Sequence, residues 1–171
     1  LSGSQLRQAQ LGERIAAILA TFGLGADKLQ LEITESFIMT QAEEALLILH
    51  ELKELGLQLA IDDFGTGYSS LSYLKRLPLD ILKIDKSFIR GLPDDPHDAA
   101  ITRAIIALGR SMQLTVIAEG VETEGQQSFL THEGCEQIQG FVLSPPLPAE
   151  LFASKFLKPR QPIGAPREAP V

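Results

Sequence analysis

The sequence predicts an α/β fold in which strands and helices alternate around a parallel sheet, as in a (β/α)8 barrel of the TIM type. Three observations support this prediction. Short apolar runs alternate with segments whose apolar residues recur at helical spacing, the connections are short, and the alternation continues through most of the chain. About five strand–helix units fit within the 171 residues, so we expect an incomplete barrel.

The predicted helices follow this spacing from the start of the chain. Apolar residues recur every three or four positions within residues 9–22, which predicts the first helix. A second helix is predicted from Thr40, where Glu43 completes a capping box, to the residue before Gly56. Further helices, the third of which also begins with a capping box, are predicted at residues 70–77, 98–112, 123–131 and 149–157.

Five apolar segments between these helices predict strands, at residues 29–34, 58–64, 80–85, 114–119 and 137–140. Parallel pairing is expected because each crossover helix returns the chain to the same edge of the sheet. The last 13 or so residues are rich in proline and poor in apolar side chains. We therefore expect one folded domain at residues 1–158 and a disordered tail or linker at residues 159–171.

Composition limits the classes of function. The chain is 44% hydrophobic and 22% charged, which is ordinary for a globular protein, and it has no uninterrupted apolar run of about 18 residues to form a membrane segment. Its net charge of −7 argues against binding of a DNA or RNA polymer, although a small phosphate ligand could bind through cations. The single cysteine, Cys135, excludes an internal disulfide and fits a reducing compartment.

Polar side chains collect at the C-terminal ends of the predicted strands. In chain order they are Glu32, Glu35, Asp62, Asp63, Lys83, Asp85, Glu119, Glu122 and Gln139. In a barrel of alternating strands and helices, the active site lies at the C-terminal ends of the strands. We therefore expect these side chains to converge.

Each of these residues also has an ordinary structural explanation. A single acidic residue at a strand end is usually a helix cap or a solvated loop residue, and Asp62 with Asp63 could form an Asx turn. Lys83 is harder to explain in this way. It lies between Leu82 and Ile84 and would bury a charge unless carboxylates pair with it.

Clustered carboxylates repel one another unless cations neutralise them, and their hard oxygen ligands favour Mg²⁺ or Mn²⁺. Adjacent aspartates can each bind a separate ion, so a two-metal site for hydrolysis of a phosphodiester is predicted. A lysine beside such a site can orient the water and offset charge in the transition state. The following segment contains Gly65, Thr66 and Gly67, which suit a mobile loop beside the site.

Five segments together resemble the successive motifs of EAL domains, a family of cyclic-di-GMP-specific phosphodiesterases. They are LEITES at 31–36, IDDFGTGYSSL at 61–71, LKIDKSFI at 82–89, VIAEGVET at 116–123 and QGFVLSPPLP at 139–148. Their order and spacing agree with the family over about residues 1–158. The resemblance implies hydrolysis of cyclic-di-GMP to linear pGpG.

The resemblance also implies roles for individual residues. Glu32, Asp62 and Glu119 resemble ligands of a first metal ion, and Asp63 resembles a ligand of a second, with Asp62 bridging. Lys83 is similar to the catalytic lysine that contacts the attacking water.

Further positions are implied to bind substrate or to anchor the loop at 64–71. They are Glu35, Gly65, Thr66, Gly67, Asp85, Glu122 and Gln139. In this family the loop couples the site to a homodimer interface. Sensory or diguanylate cyclase domains are expected upstream, and a bacterial cytoplasmic location is expected.

The chain departs from the family pattern because the Glu-Ala-Leu signature is absent. We expect that signature, and a metal-binding asparagine, to lie before Leu1. The chain alone is therefore expected to fold poorly or self-associate, and to turn over slowly or not at all.

Two alternatives remain open from the sequence. A receiver domain also has paired aspartates and a lysine at a strand end, but Lys83 follows Asp63 too closely for that class. A non-catalytic EAL-like module that binds cyclic-di-GMP or a protein partner is the stronger alternative. Such modules usually lose metal ligands or the loop motif, and both are intact here.

Overall fold

A computed structural model describes residues 1–67 and 71–157 of the chain. Alternating helices and strands make up these residues. In chain order they are α1 (Gly3–Leu6), α2 (Leu11–Phe22), a 3₁₀ turn (Ala26–Lys28), β1 (Gln30–Thr34), α3 (Glu35–Thr40), α4 (Ala42–Glu54), β2 (Gln58–Phe64), α5 (Leu71–Leu74), β3 (Ile81–Ile84), α6 (Lys86–Ile89), α7 (Pro96–Ser111), β4 (Thr115–Glu119), α8 (Glu124–His132), β5 (Gln137–Gln139) and α9 (Ala149–Phe156).

The five strands form one parallel sheet in the order β1-β2-β3-β4-β5. Neighbouring strands in the sheet are therefore consecutive in the chain, which is the arrangement that right-handed strand–helix–strand units produce. This confirms the predicted α/β fold and the incomplete barrel. All five C-terminal strand ends lie at one edge of the sheet.

The two faces of the sheet differ in what they pack against. Ile33, Leu59, Ile61, Leu82 and Ile84 are fully buried members of the main core. On the opposite face a small apolar cluster consists of Ala60, Ile81 and Ile117. Because side chains alternate along a strand, the residues that follow this second cluster by two positions lie on the same face. These residues are Asp62, Lys83 and Glu119.

The start of α4 differs from the prediction. Thr40 is the last residue of α3 and not an N-cap, since its hydroxyl donates to the carbonyl oxygens of Ser36 and Phe37, each at 3.0 Å. Gln41 precedes α4 and makes no side-chain capping bond. The capping box predicted for Thr40 and Glu43 is therefore wrong.

Other helix starts are closer to expectation. Thr123 and Gln126 form the predicted capping box of α8. Helix α7 begins two residues earlier than predicted, because the carboxylate of Asp95 accepts hydrogen bonds from the amides of His97 and Asp98.

In the described part of the chain, every helix is too short or too polar to cross a bilayer. The predicted tail at residues 159–171 and the first residue of the helix predicted at 70–77 lie outside the described residues.

Candidate active site

A buried lysine lies at the centre of the C-terminal edge of the sheet. Lys83 is 2% exposed, and its Nζ lies 2.5 Å from Glu119 Oε1, 2.6 Å from Glu32 Oε1 and 3.2 Å from Asp62 Oδ1. These three carboxylates come from β4, β1 and β2. One ammonium from β3 thus links the ends of β1, β2 and β4, on the face that also carries the small apolar cluster.

A local irregularity in β2 brings the adjacent aspartates together. In a regular strand, Asp62 and Asp63 would point to opposite faces. Here the pairing of β2 with β3 shifts between Ile61 and Phe64, and Asp63 adopts a left-handed conformation with φ 55°. As a result, Asp62, Asp63 and Glu119 each offer one carboxylate oxygen, and these oxygens lie within 4.8 Å of one another.

This arrangement fits a cation. Asp62 Oδ1 is a buried atom that makes no hydrogen bond within residues 1–67 and 71–157. Lys83 Nζ forms an ion pair with this oxygen at 3.2 Å and balances part of its charge. A buried carboxylate oxygen without a donor costs free energy that a bound metal ion can offset.

Glu32 lies at the margin of this group. Its Oε1 contacts Lys83 and also accepts a hydrogen bond of 3.3 Å from Gln30 Nε2. It is outside the set of three carboxylates whose oxygens lie within 4.8 Å of one another. Lys83 therefore connects Glu32 to the other acids.

The electrostatics reflect the excess of carboxylates. Burial lowers the pKa of Lys83, but the hydrogen bonds that its ammonium donates to Glu119 and Glu32 outweigh burial, and the pKa rises above its usual value. Burial also raises the pKa of Glu119. The Lys83 ammonium lowers this pKa, whereas the negative charges of Asp62 and Glu32 raise it further. One ammonium does not neutralise three acids.

Asp85 supports the site from α6. Its carboxylate caps that helix by accepting a 2.8 Å hydrogen bond from the amide of Ser87. Its charge also acts on Asp63, whose pKa is raised by burial first and then by the charges of Asp62 and Asp85. Asp85 thus lies near the acidic cluster without belonging to it.

Glu35 holds the segment that follows Asp63. This carboxylate is fully buried, and its Oε2 accepts hydrogen bonds from the amides of Gly65 at 2.8 Å and Gly67 at 3.2 Å. Gly65 has φ 99°, a conformation that favours glycine. The Thr66 hydroxyl donates to the Asp63 carbonyl at 2.8 Å, and the rest of the loop motif, residues 68–70, lies outside the described residues.

Gln139 and Glu122 lie beside the cluster. Gln139 is opposite Glu119 in the pairing of β4 with β5, and its carbonyl accepts a hydrogen bond from the Val121 amide. Glu122 is not one of the three clustered carboxylates. Its amide donates to Gln126 at 2.7 Å, and the residue lines a separate cleft.

Sequence reasoning missed three residues of that cleft. Lys86, Arg90 and Gln126 line it together with Gly120 and Glu122. The sequence identified Gln126 only as part of the capping box of α8. Lys86 and Arg90 lie in and just after α6, which is too short for their spacing to predict that they share a cleft.

Comparisons with known proteins bear on the family of this chain. A family model described as EAL domain matches residues 1–146. The bifunctional diguanylate cyclase/cyclic di-GMP phosphodiesterase MucR of Pseudomonas aeruginosa is 52% identical over 155 residues, which cover 90% of this chain and 23% of MucR. The cyclic di-GMP phosphodiesterase NbdA of the same organism is 48% identical over 145 residues, covering 85% and 18%. The chain thus spans about a fifth of the length of these relatives.

Solved structures share the fold. A complex of the PaMucR phosphodiesterase with c-di-GMP matches with a TM-score of 0.85 at 51% identity, over 89% of this chain and 62% of that one. Klebsiella pneumoniae BlrP1 with manganese and cy-diGMP matches with a TM-score of 0.78 at 33% identity, over 84% and 37%. Since the family model covers most of the residues and the sheet agrees with these structures, the chain belongs to the EAL domain family.

Proposed function

We propose that the protein hydrolyses cyclic-di-GMP to linear pGpG, with two divalent cations, Mg²⁺ or Mn²⁺, bound by Glu32, Asp62, Asp63 and Glu119. The observation that supports this most strongly is the buried Lys83, held by carboxylates from three other strands of the sheet. One carboxylate would suffice to pair with a lysine. The surplus of negative charge favours a cation-binding site at this edge.

The donor set suits these ions, since all four side chains offer the hard oxygen ligands that Mg²⁺ and Mn²⁺ prefer. Asp62 would hold a cation, which its buried Oδ1 supports because this oxygen makes no hydrogen bond among the described residues. The chemistry that such cations supply is positive charge beside the phosphate and a more acidic water.

Lys83 orients the reacting groups in this proposal. Its raised pKa keeps the ammonium charged, and one of its three N–H donors can turn to the attacking water. Glu119, whose Oε1 lies 2.5 Å from the Lys83 ammonium, is proposed to accept the proton that the water loses. The water oxygen bonds to phosphorus, the bond to the ribose 3′ oxygen breaks, and that oxygen takes up a proton.

Glu35 is proposed to anchor the loop at 64–71 against the substrate, and Gln139 to contribute to the network around substrate and water. The loop would also join the site to a homodimer interface. Two features of the relatives support the presence of further domains: MucR is named as bifunctional, and both relatives are several times longer than this chain. We propose sensory or diguanylate cyclase domains upstream and a bacterial cytoplasmic location.

The test is turnover of cyclic-di-GMP by the full-length protein, with substrate and pGpG separated by chromatography. The proposal predicts pGpG with Mg²⁺ or Mn²⁺, no product with EDTA, and recovery when Mn²⁺ is restored. Binding of cyclic-di-GMP without product under all of these conditions would instead identify a non-catalytic binding module. Absence of both binding and product would contradict the proposed ligand as well.

A further inference from the structure

A cluster of charged and aromatic side chains lies outside the carboxylate site. Glu43, the second residue of α4, accepts two hydrogen bonds from the Arg76 guanidinium: Nη1 donates to Oε1 at 3.0 Å, and Nη2 donates to Oε2 at 3.3 Å. The Tyr73 hydroxyl also donates to Glu43 Oε1, at 3.3 Å. The guanidinium carbon of Arg76 lies 5.2 Å from the centre of the Tyr73 ring, within the range of a cation–π contact. These three residues, the Glu43 cluster, join α4 to the chain around α5.

Helix α5 directly follows the loop at 64–71. The helix begins at Leu71, which is also the last residue of the loop, and Tyr73 lies within it. The chain continues to turn beyond the end of α5, because the Arg76 amide donates to the Tyr73 carbonyl at 2.8 Å. Glu43 therefore holds the segment into which the C-terminal end of the loop runs.

The loop is in this way held on both sides by carboxylates of one connection. Glu35, at the start of α3, accepts hydrogen bonds from the amides of Gly65 and Gly67 at the N-terminal side of the loop. Glu43 acts on the C-terminal side. Both carboxylates lie between β1 and β2, so this connection contacts the one between β2 and β3 twice.

Burial alone does not fix the direction of α5. The helix has only four residues, and so short a helix is not stable without tertiary contacts. Leu74 and Leu77 are buried in the core, but apolar burial is non-directional. A guanidinium that contacts both oxygens of a carboxylate fixes orientation as well as distance. The hydrogen bonds from Arg76 also lower the pKa of Glu43, which keeps this carboxylate charged at neutral pH.

We propose that Glu43 is a second anchor of the loop at 64–71 and, through α5, a positioning residue for the turnover of substrate. Its effect on turnover rests on the proposed function, in which this loop lies against the substrate. Its effect on the loop does not, and is measured separately. The side chains of Glu43 and Arg76 are 67% and 48% exposed, so solvent screens their attraction. The expected effects are therefore severalfold.

The test combines hydrogen exchange with steady-state hydrolysis of cyclic-di-GMP, both on the full-length protein. We expect Glu43→Gln to make exchange over residues 71–77 about threefold to fivefold faster and to lower kcat by a similar factor. Arg76→Gln removes the other partner and should do the same. About 0.5 M salt should accelerate this exchange in wild type but not further in Glu43→Gln, because the screened attraction is already absent there.

A charge exchange separates positioning from simple damage to the helix. Glu43→Arg combined with Arg76→Glu restores an ion pair of reversed direction. We expect this double variant to return exchange and kcat to within about twofold of wild type. Failure of the double variant to recover either quantity, although it folds, would contradict the role of the ion pair.

Glu44→Gln is the matched control. It removes the same charge from the next residue of α4, which is also exposed and has no ion pair within residues 1–67 and 71–157. Exchange and kcat should both stay at the wild-type values.

Three results would overturn the inference while the proposed function stands: unchanged exchange in Glu43→Gln, equal acceleration in Glu44→Gln, or faster exchange in Glu43→Gln with kcat unchanged. If wild type hydrolyses no cyclic-di-GMP, the proposed function fails and the role of Glu43 in turnover fails with it. Faster exchange in Glu43→Gln alone would still support the anchor in that case.

Discussion

Lys83 Nζ lies 2.5 Å from Glu119 Oε1 on the adjacent strand, although Lys83 pairs in register with Ile117. The lysine therefore leans towards the C-terminal end of β4, where it reaches a carboxylate two residues further along. Glu32 and Asp62 approach the same ammonium from the other side of β3. The positive charge of one strand thus holds the acidic ends of three others together.

Replacement of Lys83 should affect both activity and stability. Lys83→Met leaves three carboxylates without their shared cation, so we expect kcat to fall by about 10³-fold or more, and the free energy of unfolding in EDTA to fall by about 3 kcal/mol. Turnover and urea denaturation measure the two effects. Near-wild-type turnover would show that the lysine has no part in the reaction.

Lys53→Met is the control for that variant. Lys53 forms an ion pair with Asp80 at the N-terminal edge of the sheet, where both side chains are about one-third exposed. We expect a loss of stability of about 1 kcal/mol or less and an unchanged kcat.

Asp62→Asn tests the cation site, because it removes a negative charge while keeping nearly the same side-chain volume. In EDTA the variant should be as stable as wild type or more so, because one of the crowded charges is gone. Addition of Mn²⁺ should raise the melting temperature of wild type, since binding to the folded state stabilises it, but not that of the variant. Asp94→Asn, at an exposed loop position, should keep the Mn²⁺ response. A full response in Asp62→Asn would contradict the assignment.

Glu35→Gln tests the anchoring of the loop. The amide keeps an acceptor oxygen but loses the charge that strengthens the bonds from Gly65 and Gly67. We expect hydrogen exchange at these two amides to become about tenfold faster, together with a lower kcat. Glu54→Gln, on the exposed end of α4, should change neither. Unchanged exchange in Glu35→Gln would mean that other contacts fix the loop.

Gly140→Ala tests the close approach of β5 to the loop after Glu119. A Cβ at Gly140 would overlap the carbonyl oxygen of Val121, so the backbone must move. We expect the free energy of unfolding, measured by urea denaturation, to fall by about 1–3 kcal/mol. Gly125→Ala is the control: it lies in α8 with its nearest neighbour at 3.7 Å, and should be neutral or stabilising by up to about 1 kcal/mol. Equal effects of the two substitutions would contradict the packing argument.

The strands were predictable because each is a short apolar run between helices, and all five lie within two residues of their expected bounds. The short helices were not. Helix α3 begins directly at the end of β1 without a side-chain cap, and α6 has only four residues, too few to show a period. Thr40 was misassigned because α3 was not predicted. From the sequence alone, a threonine that ends one helix cannot be distinguished from one that caps the next.

The gathering of polar residues at one edge was predictable, because parallel strands bring their C-terminal ends together. Which carboxylates share the lysine was not, because it depends on the sheet register and on the left-handed turn at Asp63. The capping box predicted the bond between the Thr123 amide and Gln126, but the second bond, from the Glu122 amide, lies outside that pattern and was not predictable.

The central claim is that the carboxylates around Lys83 form the metal centre of the reaction. Anomalous diffraction from crystals of the protein soaked in Mn²⁺ tests it most directly. The account predicts Mn²⁺ peaks bounded by oxygens of Asp62, Asp63 and Glu119, with Glu32 as a further ligand. Crystals that bind Mn²⁺ elsewhere and leave these oxygens without an ion, from protein whose turnover requires Mn²⁺, would contradict it.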